Sequence, residues 1–213
     1  MVHIRNVNAR KVVSFIAWKI DRLSFKYGRI YVLEMPLVPR ATKVNDGGYD
    51  VKTVSDLSEL TTLVERRETW WRAAVEQRFA NGDLCFVAKD HGQAIACLFA
   101  TFSNVRLPLI HDAPYSLPLD NETVGLIDSY TLPEYRGKGV YSSVFEACLI
   151  YFAGTRFRRV RGFIHPDNVH SMKVHQKLGL DRIVLVITSV GLFGVRRHYA
   201  KATDMHIEEV CQQ

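Results

Sequence analysis

The sequence predicts a mixed α/β (α+β) domain. Three observations carry that prediction. Between Thr123 and Gly179 a β-prone apolar run passes through a two-glycine turn into helical spacing; Asp90-His91-Gly92 joins two strand-like runs as a hairpin; and strands alternate with amphipathic helices along the remaining chain. With 213 residues and 47% hydrophobic content, the chain can bury a core as one domain, with or without an appended element.

Taken in order, residues 10–26 read as an amphipathic helix, with Val12, Val13, Phe15, Ile16, Ile20 and Leu23 near one face and Lys11, Lys19, Arg22 and Lys26 around it. Residues 1–29 hold seven Lys and Arg against the single Asp21, which accounts for the whole net charge of +6. This helix can lie on an anionic membrane surface, dock on a protein partner or pack on its own domain. It is expected to form an N-terminal element, residues 1–28, with the main domain at 29–213.

Arg29 to Leu37 reads as the first strand, and Asn45-Asp46-Gly47-Gly48 as a loop. Ser55, Ser58 and Glu59 start a helix continued by Leu57, Leu60 and Leu63. Thr69 to Phe79 forms a second helix that stops at Asn81-Gly82. Two strands follow, Asp83 to Lys89 and Gln93 to Ser103. Val105 to Asn121, with Pro108, Pro114 and Pro118, is expected to be a long loop. Val124 to Leu132 is the central strand, and Val140, Val144, Ala147, Cys148 and Tyr151 mark the apolar stripe of the helix after it. Arg159 to His165, a short helix from Asn168 to Leu178, Arg182 to Ser189 and Arg196 to Lys201 complete the pattern.

The turn between central strand and helix reads Arg136-Gly137-Lys138-Gly139-Val140-Tyr141. A helix start leaves several backbone N–H groups unpaired, and the helix dipole adds partial positive charge there, so glycines leading into it make a site for phosphate. Arg136 and Lys138 strengthen the attraction for a diphosphate. A Walker A loop needs G-x-x-x-x-G-K-[ST], which is absent, and a dinucleotide fingerprint finds Ser142 at its third glycine. A plain surface turn stays open on these residues alone.

The run from Arg136 to Tyr141 resembles the [QR]-x-x-G-x-[GA] loop of the GNAT-type N-acetyltransferases, with Tyr141 in place of the last small residue. Downstream, Asn168 to Leu180 is similar to that family's second signature, N-x-x-[AS]-x-x-[LV]-Y-x-K-x-G-F. The resemblance covers residues 29–201 and implies a GNAT-type mixed, mostly antiparallel central sheet flanked by helices, with the N-terminal helix as an extra. It further implies acetyl-CoA as acyl donor, its diphosphate on the backbone of Gly137, Lys138, Gly139, Val140 and Tyr141 with Arg136 beside it. Its thiol arm would run along Tyr130, Thr131 and Leu132 and be held by Asn168 near Ser171. In this family two helices border the acceptor, which brings in Trp70 and Trp71; large aromatics on helices also serve as core.

The implied reaction is direct attack of an amine on the thioester in a ternary complex, with no covalent enzyme intermediate and no metal. An amine is protonated below about pH 10, so a base is useful. Asp128, on the central strand, is the candidate, with Glu122 or ordered water as alternatives. His175 stands where the family carries its acid, a tyrosine, and is the candidate proton donor; packing behind the sulfur is its other reading. His165, His170 and His175 are spaced by five residues, which does not make a helical metal site.

Four scattered cysteines without a C-x-x-C pair, no charge-free apolar run of membrane length and no signal peptide lead us to expect a cytoplasmic protein. No nucleic-acid-binding motif is present. The expected function is transfer of an acetyl group to a small-molecule amine. The alternatives are a catalytically silent CoA-binding sensor or interaction module, and an acyltransferase using a longer acyl-CoA or an acyl carrier protein.

Overall fold

A computed structural model describes residues 25–38, 49–109, 114–192 and 195–211. Ten strands and five α-helices lie among them: β1 (Lys26–Pro36), β2 (Asp50–Val54), α1 (Thr61–Glu65), α2 (Thr69–Ala80), β3 (Leu84–Asp90), β4 (Gln93–Thr101), β5 (Val105–Leu107), β6 (Tyr115–Leu117), β7 (Thr123–Thr131), α3 (Val140–Ala153), β8 (Arg159–Ile164), α4 (Val169–Lys177), β9 (Arg182–Leu192), β10 (Val195–His206) and α5 (Ile207–Cys211). Eight strands form one sheet in the order β10-β9-β1-β8-β7-β4-β3-β2, and β5 pairs only with β6. Every neighbouring pair in the large sheet is antiparallel except β7 and β8. The mixed, mostly antiparallel sheet flanked by helices is therefore present.

Residues opposed in register share a face of the sheet. On one face Phe86 and its partner Leu98 lie under α3, where Phe86 meets Tyr151 and Phe152 edge-on. Leu33 and Gly162 continue that face to α4, because a side chain on Gly162 would strike Leu180 at 2.9 Å and approach His175 at 4.0 Å. On the opposite face Phe99 and Ile127 are partners. Phe79 of α2 packs on Phe99, with ring centroids 5.7 Å apart. Ile30, Val32 and Ile187 lie on this second face beneath Val105, Leu107 and Leu117 of the β5–β6 pair.

Several expectations shift. Residues 105–121 contain the β5–β6 hairpin, because Val105, Leu107, Leu109 and Leu117 have a sheet face to cover. The buried stripe of α3 is Val140, Val144, Phe145, Cys148, Leu149 and Phe152. Of the expected Ala147 and Tyr151, Ala147 is half-buried and Tyr151 is exposed, its ring packing edge-on against Phe86 at the margin of the buried stripe. They line a cleft of about 370 Å³ together with Tyr49, Val51 and Thr53. The expected helix over residues 10–26 lies outside the described residues except at its end, where Phe25 is in no regular element and Lys26 already begins β1; the first strand thus starts before Arg29. Among the described residues no helix is long and apolar enough to cross a membrane.

Candidate active site

β7 runs beside β8 only from Thr123 to Leu126, and no later residue of β7 pairs with β8. A bulge explains the parting. In the register with β4, Cys97 opposes Tyr130 and Phe99 opposes Ile127, so Asp128 and Ser129 together face Leu98. Asp128 takes a left-handed backbone, φ 53°, which a short polar residue tolerates better than a branched one. Such a bulge increases the local twist and bends β7 away from β8.

The backbone groups of the parted half divide between two sides. The Leu132 N–H donates to the Ile95 carbonyl at 2.9 Å, which commits Leu132 to β4. By alternation Thr131 and Ser129 present their backbone to the open side, and the Thr131 carbonyl accepts from Arg136 Nε at 3.1 Å. Of the expected edge residues, Thr131 is on that side, whereas Leu132 is buried and Tyr130 turns its ring to the opposite face. Ser129, which sequence reasoning passed over, is exposed there.

The chain then makes a single turn over Pro133–Tyr135 and enters the glycine loop. Gly137 (φ 74°) and Gly139 (φ 79°) are both left-handed, and the space where a side chain would stand is open at each. Gly139 caps α3 without any side-chain hydrogen bond. The first backbone bond back into the helix is from Ser143 N–H to the Gly139 carbonyl, 3.1 Å, so the preceding amides of the first turn have no helical acceptor. Arg136 and Lys138 are exposed beside them. The loop is tethered elsewhere: Glu134 pairs with Arg66, and the Tyr135 hydroxyl donates to Asp90 Oδ2 at 2.8 Å.

Across the parting lies α4. Asn168 caps it, its Oδ1 accepting from the Ser171 N–H at 3.1 Å. One turn on, His175 is buried, with Nδ1 2.8 Å from the Ser171 carbonyl and Nε2 3.0 Å from the Tyr141 hydroxyl. A carbonyl only accepts, so Nδ1 carries the proton. Burial holds the imidazole pKa below its ordinary value, outweighing the Ser171 carbonyl, which raises it. His175 is thus the neutral tautomer, and its Nε2 accepts from Tyr141. Tyr141 is itself crowded: burial pushes its pKa well above that of a free phenol, while a hydrogen bond with Ser129 pulls it partly back.

On the opposite face, Arg78 Nε donates to Asp128 Oδ2 at 2.9 Å and also approaches the buried Asp83 at 3.6 Å. Arg67 lies 3.9 Å from Asp128 Oδ1, beyond hydrogen-bond range, with its guanidinium 4.6 Å from the rings of both Trp71 and Tyr130. Trp71 is fully buried while Trp70 is 58% exposed. Glu122 sits apart from these groups, at the paired end of β7 beside Arg159, 3.6 Å away. The structure therefore brings Asp128 and Tyr130 together on one side of β7, and Ser129, Thr131, Tyr141, Ser171 and His175 around its open edge. Arg67 and Arg78 were not foreseen, because nothing in the spacing of α1 and α2 singles them out as neighbours of Asp128.

Residues 51–180 match the acetyltransferase (GNAT) family, and the chain belongs to that family. Among solved structures it is similar to a GNAT-family protein from Novosphingobium aromaticivorans, with 17% identity and TM-score 0.51, over 78% of this chain and 66% of that one. It also resembles an aminoglycoside 6'-N-acetyltransferase from Acinetobacter baumannii, with 25% identity and TM-score 0.42, over 64% of this chain and 95% of that one. A third similar structure is an aminoglycoside N-acetyltransferase in complex with CoA, with 23% identity and TM-score 0.44, over 61% and 90% of the two chains. No curated protein matches the chain.

Proposed function

We propose that the protein is an N-acyltransferase that moves an acetyl group from acetyl-CoA to the amine of a small molecule by direct attack in a ternary complex. The observation that carries this reading is the parting of β7 from β8 directly upstream of an uncapped, glycine-led helix start. A diphosphate fits the loop, because it needs unpaired N–H donors and flanking cations, and the amides before Ser143 with Arg136 and Lys138 supply both. A thiol arm with two amides needs strand-edge groups to pair with; Ser129 offers its backbone, and the Thr131 carbonyl, which accepts from Arg136, keeps a second lone pair. Asn168, whose Oδ1 serves the cap, keeps its amide nitrogen for the same arm.

The acceptor amine is assigned to the other side of the bulge. Asp128 Oδ2 is held by Arg78, which leaves Oδ1 to receive an amine N–H and draw off its proton directly or through water. Holding amine and thioester on either side of one strand removes the entropy of their encounter, a saving open to a reaction that forms no covalent enzyme intermediate. Titration calorimetry with acetyl-CoA and desulfo-CoA, followed by thiol release against a panel of amino sugars, amino acids and polyamines, tests the reading. Cofactor binding with amine-dependent thiol release is expected. Binding without release would make the protein a CoA-binding module, and absence of binding would overturn the cofactor assignment.

A further inference from the structure

Resting on the acyltransferase reading, we infer that the acceptor is an α-amino acid, with its amine on Asp128 and its carboxylate on the Arg67 guanidinium. Arg67 stands in the turn between α1 and α2, and its side chain is only 15% exposed. Trp71 of α2 and Tyr130 of β7 hold the guanidinium between them, each ring centroid 4.6 Å from Cζ. The rings fix its position without accepting its hydrogen bonds. Two carboxylates approach it, Asp128 Oδ1 at 3.9 Å from Nη1 and the exposed Glu68 Oε2 at 3.8 Å from Nε, and both stop beyond hydrogen-bond range. Nη1 is closed off from solvent and has no acceptor among the described residues.

A guanidinium taken out of water without hydrogen bonds is costly, and stacking on aromatic faces offsets only part of that cost. Arg78 next to it is differently placed. Its Nε donates to Asp128 Oδ2 at 2.9 Å and its Nη1 lies 3.6 Å from the buried Asp83, so its charge is answered twice. Arg67 and Asp128 Oδ1 are left as two groups of opposite charge, 3.9 Å apart, with no hydrogen bond to each other. That spacing suits a molecule whose amine and carboxylate are joined through a single carbon. The amine donates to Oδ1, and the two carboxylate oxygens accept from the planar fork of Arg67, a geometry that a lysine cannot offer. A polyamine, or an amino sugar with several amines, would instead set further positive charge against Arg67.

The test measures thiol release from acetyl-CoA with matched acceptors: the common α-amino acids, their primary amides, the amines left by decarboxylation, and ω-amino acids. The best α-amino acid is expected to exceed its three counterparts in kcat/KM by about tenfold to a hundredfold, the worth of hydrogen bonds to a charged group. Arg67→Met keeps an unbranched side chain between the two rings and is expected to abolish that preference. Arg67→Lys, with the charge but not the fork, is expected to restore part of it. The wild-type comparison decides the matter even if either variant fails to fold. A wild type that acetylates the amides or the decarboxylated amines as efficiently as the free amino acids overturns this inference and leaves the acyltransferase reading standing. Absence of amine-dependent thiol release with every acceptor overturns both.

Discussion

Tyr141 Oη and His175 Nε2 lie 3.0 Å apart and join the first turn of α3 to α4 across the parting of the sheet. The pair departs at two positions from the signatures that the sequence resembles, and the structure makes the departures one feature. A histidine without a proton toward the edge is matched by a tyrosine hydroxyl that reaches it.

Stability should fall in acid because His175 is buried. The pKa of His175 in the folded protein is below its ordinary value near 6.5, so in the window between the two the unfolded chain binds more protons than the native one. The contribution is fully present above pH 6.5 and is lost as pH falls through that value, down to the folded pKa. Calorimetric Tm measured from pH 8 to pH 5 is expected to decline for the wild type. In His175→Gln the decline should be shallower, even if the variant starts from a lower Tm. Equal slopes in the two proteins would show that His175 titrates alike in both states.

Gly139→Ala separates conformation from contact. Nothing stands near the missing side chain, so the cost is that of a left-handed backbone, about 1 kcal/mol of stability. If the amides of this turn hold the diphosphate, the variant should weaken acetyl-CoA and desulfo-CoA by the same factor in calorimetry and leave the acceptor KM unchanged. A change for acetyl-CoA alone would place the contact at the thioester.

Much of the fold was legible because the relevant signals are local. The β3–β4 hairpin follows from His91-Gly92, whose residues are both left-handed, and α2 from its period and the Asn81-Gly82 stop. The misses share a physical cause: β2, β5, β6 and α5 are three to five residues long, too short to show a period, and form because a neighbouring edge or face accepts them. At the site, loop and cap residues could be read from spacing. The β7 bulge could not, since it is set by register against β4, and so the spacing points to Tyr130, Thr131 and Leu132 as the edge and passes over Ser129. The partners of Asp128 and Tyr141 come from elements up to 61 residues away in sequence, as with Arg67 and Asp128, and no pattern joins them.

Asp128 carries both a backbone requirement and a charge, and two substitutions divide them. Asparagine tolerates the left-handed conformation, so Asp128→Asn is expected to cost only about 1 kcal/mol, whereas Asp128→Ala also strains the bulge and should cost about 2–3 kcal/mol. Both should lower kcat/KM for the acceptor by tenfold or more while acetyl-CoA affinity stays near wild type. Chemical denaturation and steady-state kinetics on the two variants check this. Full turnover in Asp128→Asn would remove the carboxylate from the acceptor side.

Trp70 and Trp71 are neighbours in sequence that face different environments, and the contrast allows a test of where an acceptor enters. Trp71 is fully buried in the main core, so Trp71→Ala should cost about 3–5 kcal/mol. Trp70 is 58% exposed and touches the same Arg67 guanidinium, 5.8 Å from its ring, that Tyr130 stacks on from the strand. Trp70→Ala should therefore leave stability within about 0.5 kcal/mol of wild type. If the acceptor enters between α2 and β7, the same variant should raise the acceptor KM and leave kcat at saturating amine and the affinity for acetyl-CoA unchanged. An unchanged KM across the amine panel would put the entrance elsewhere, toward the β5–β6 hairpin that covers the neighbouring part of this face.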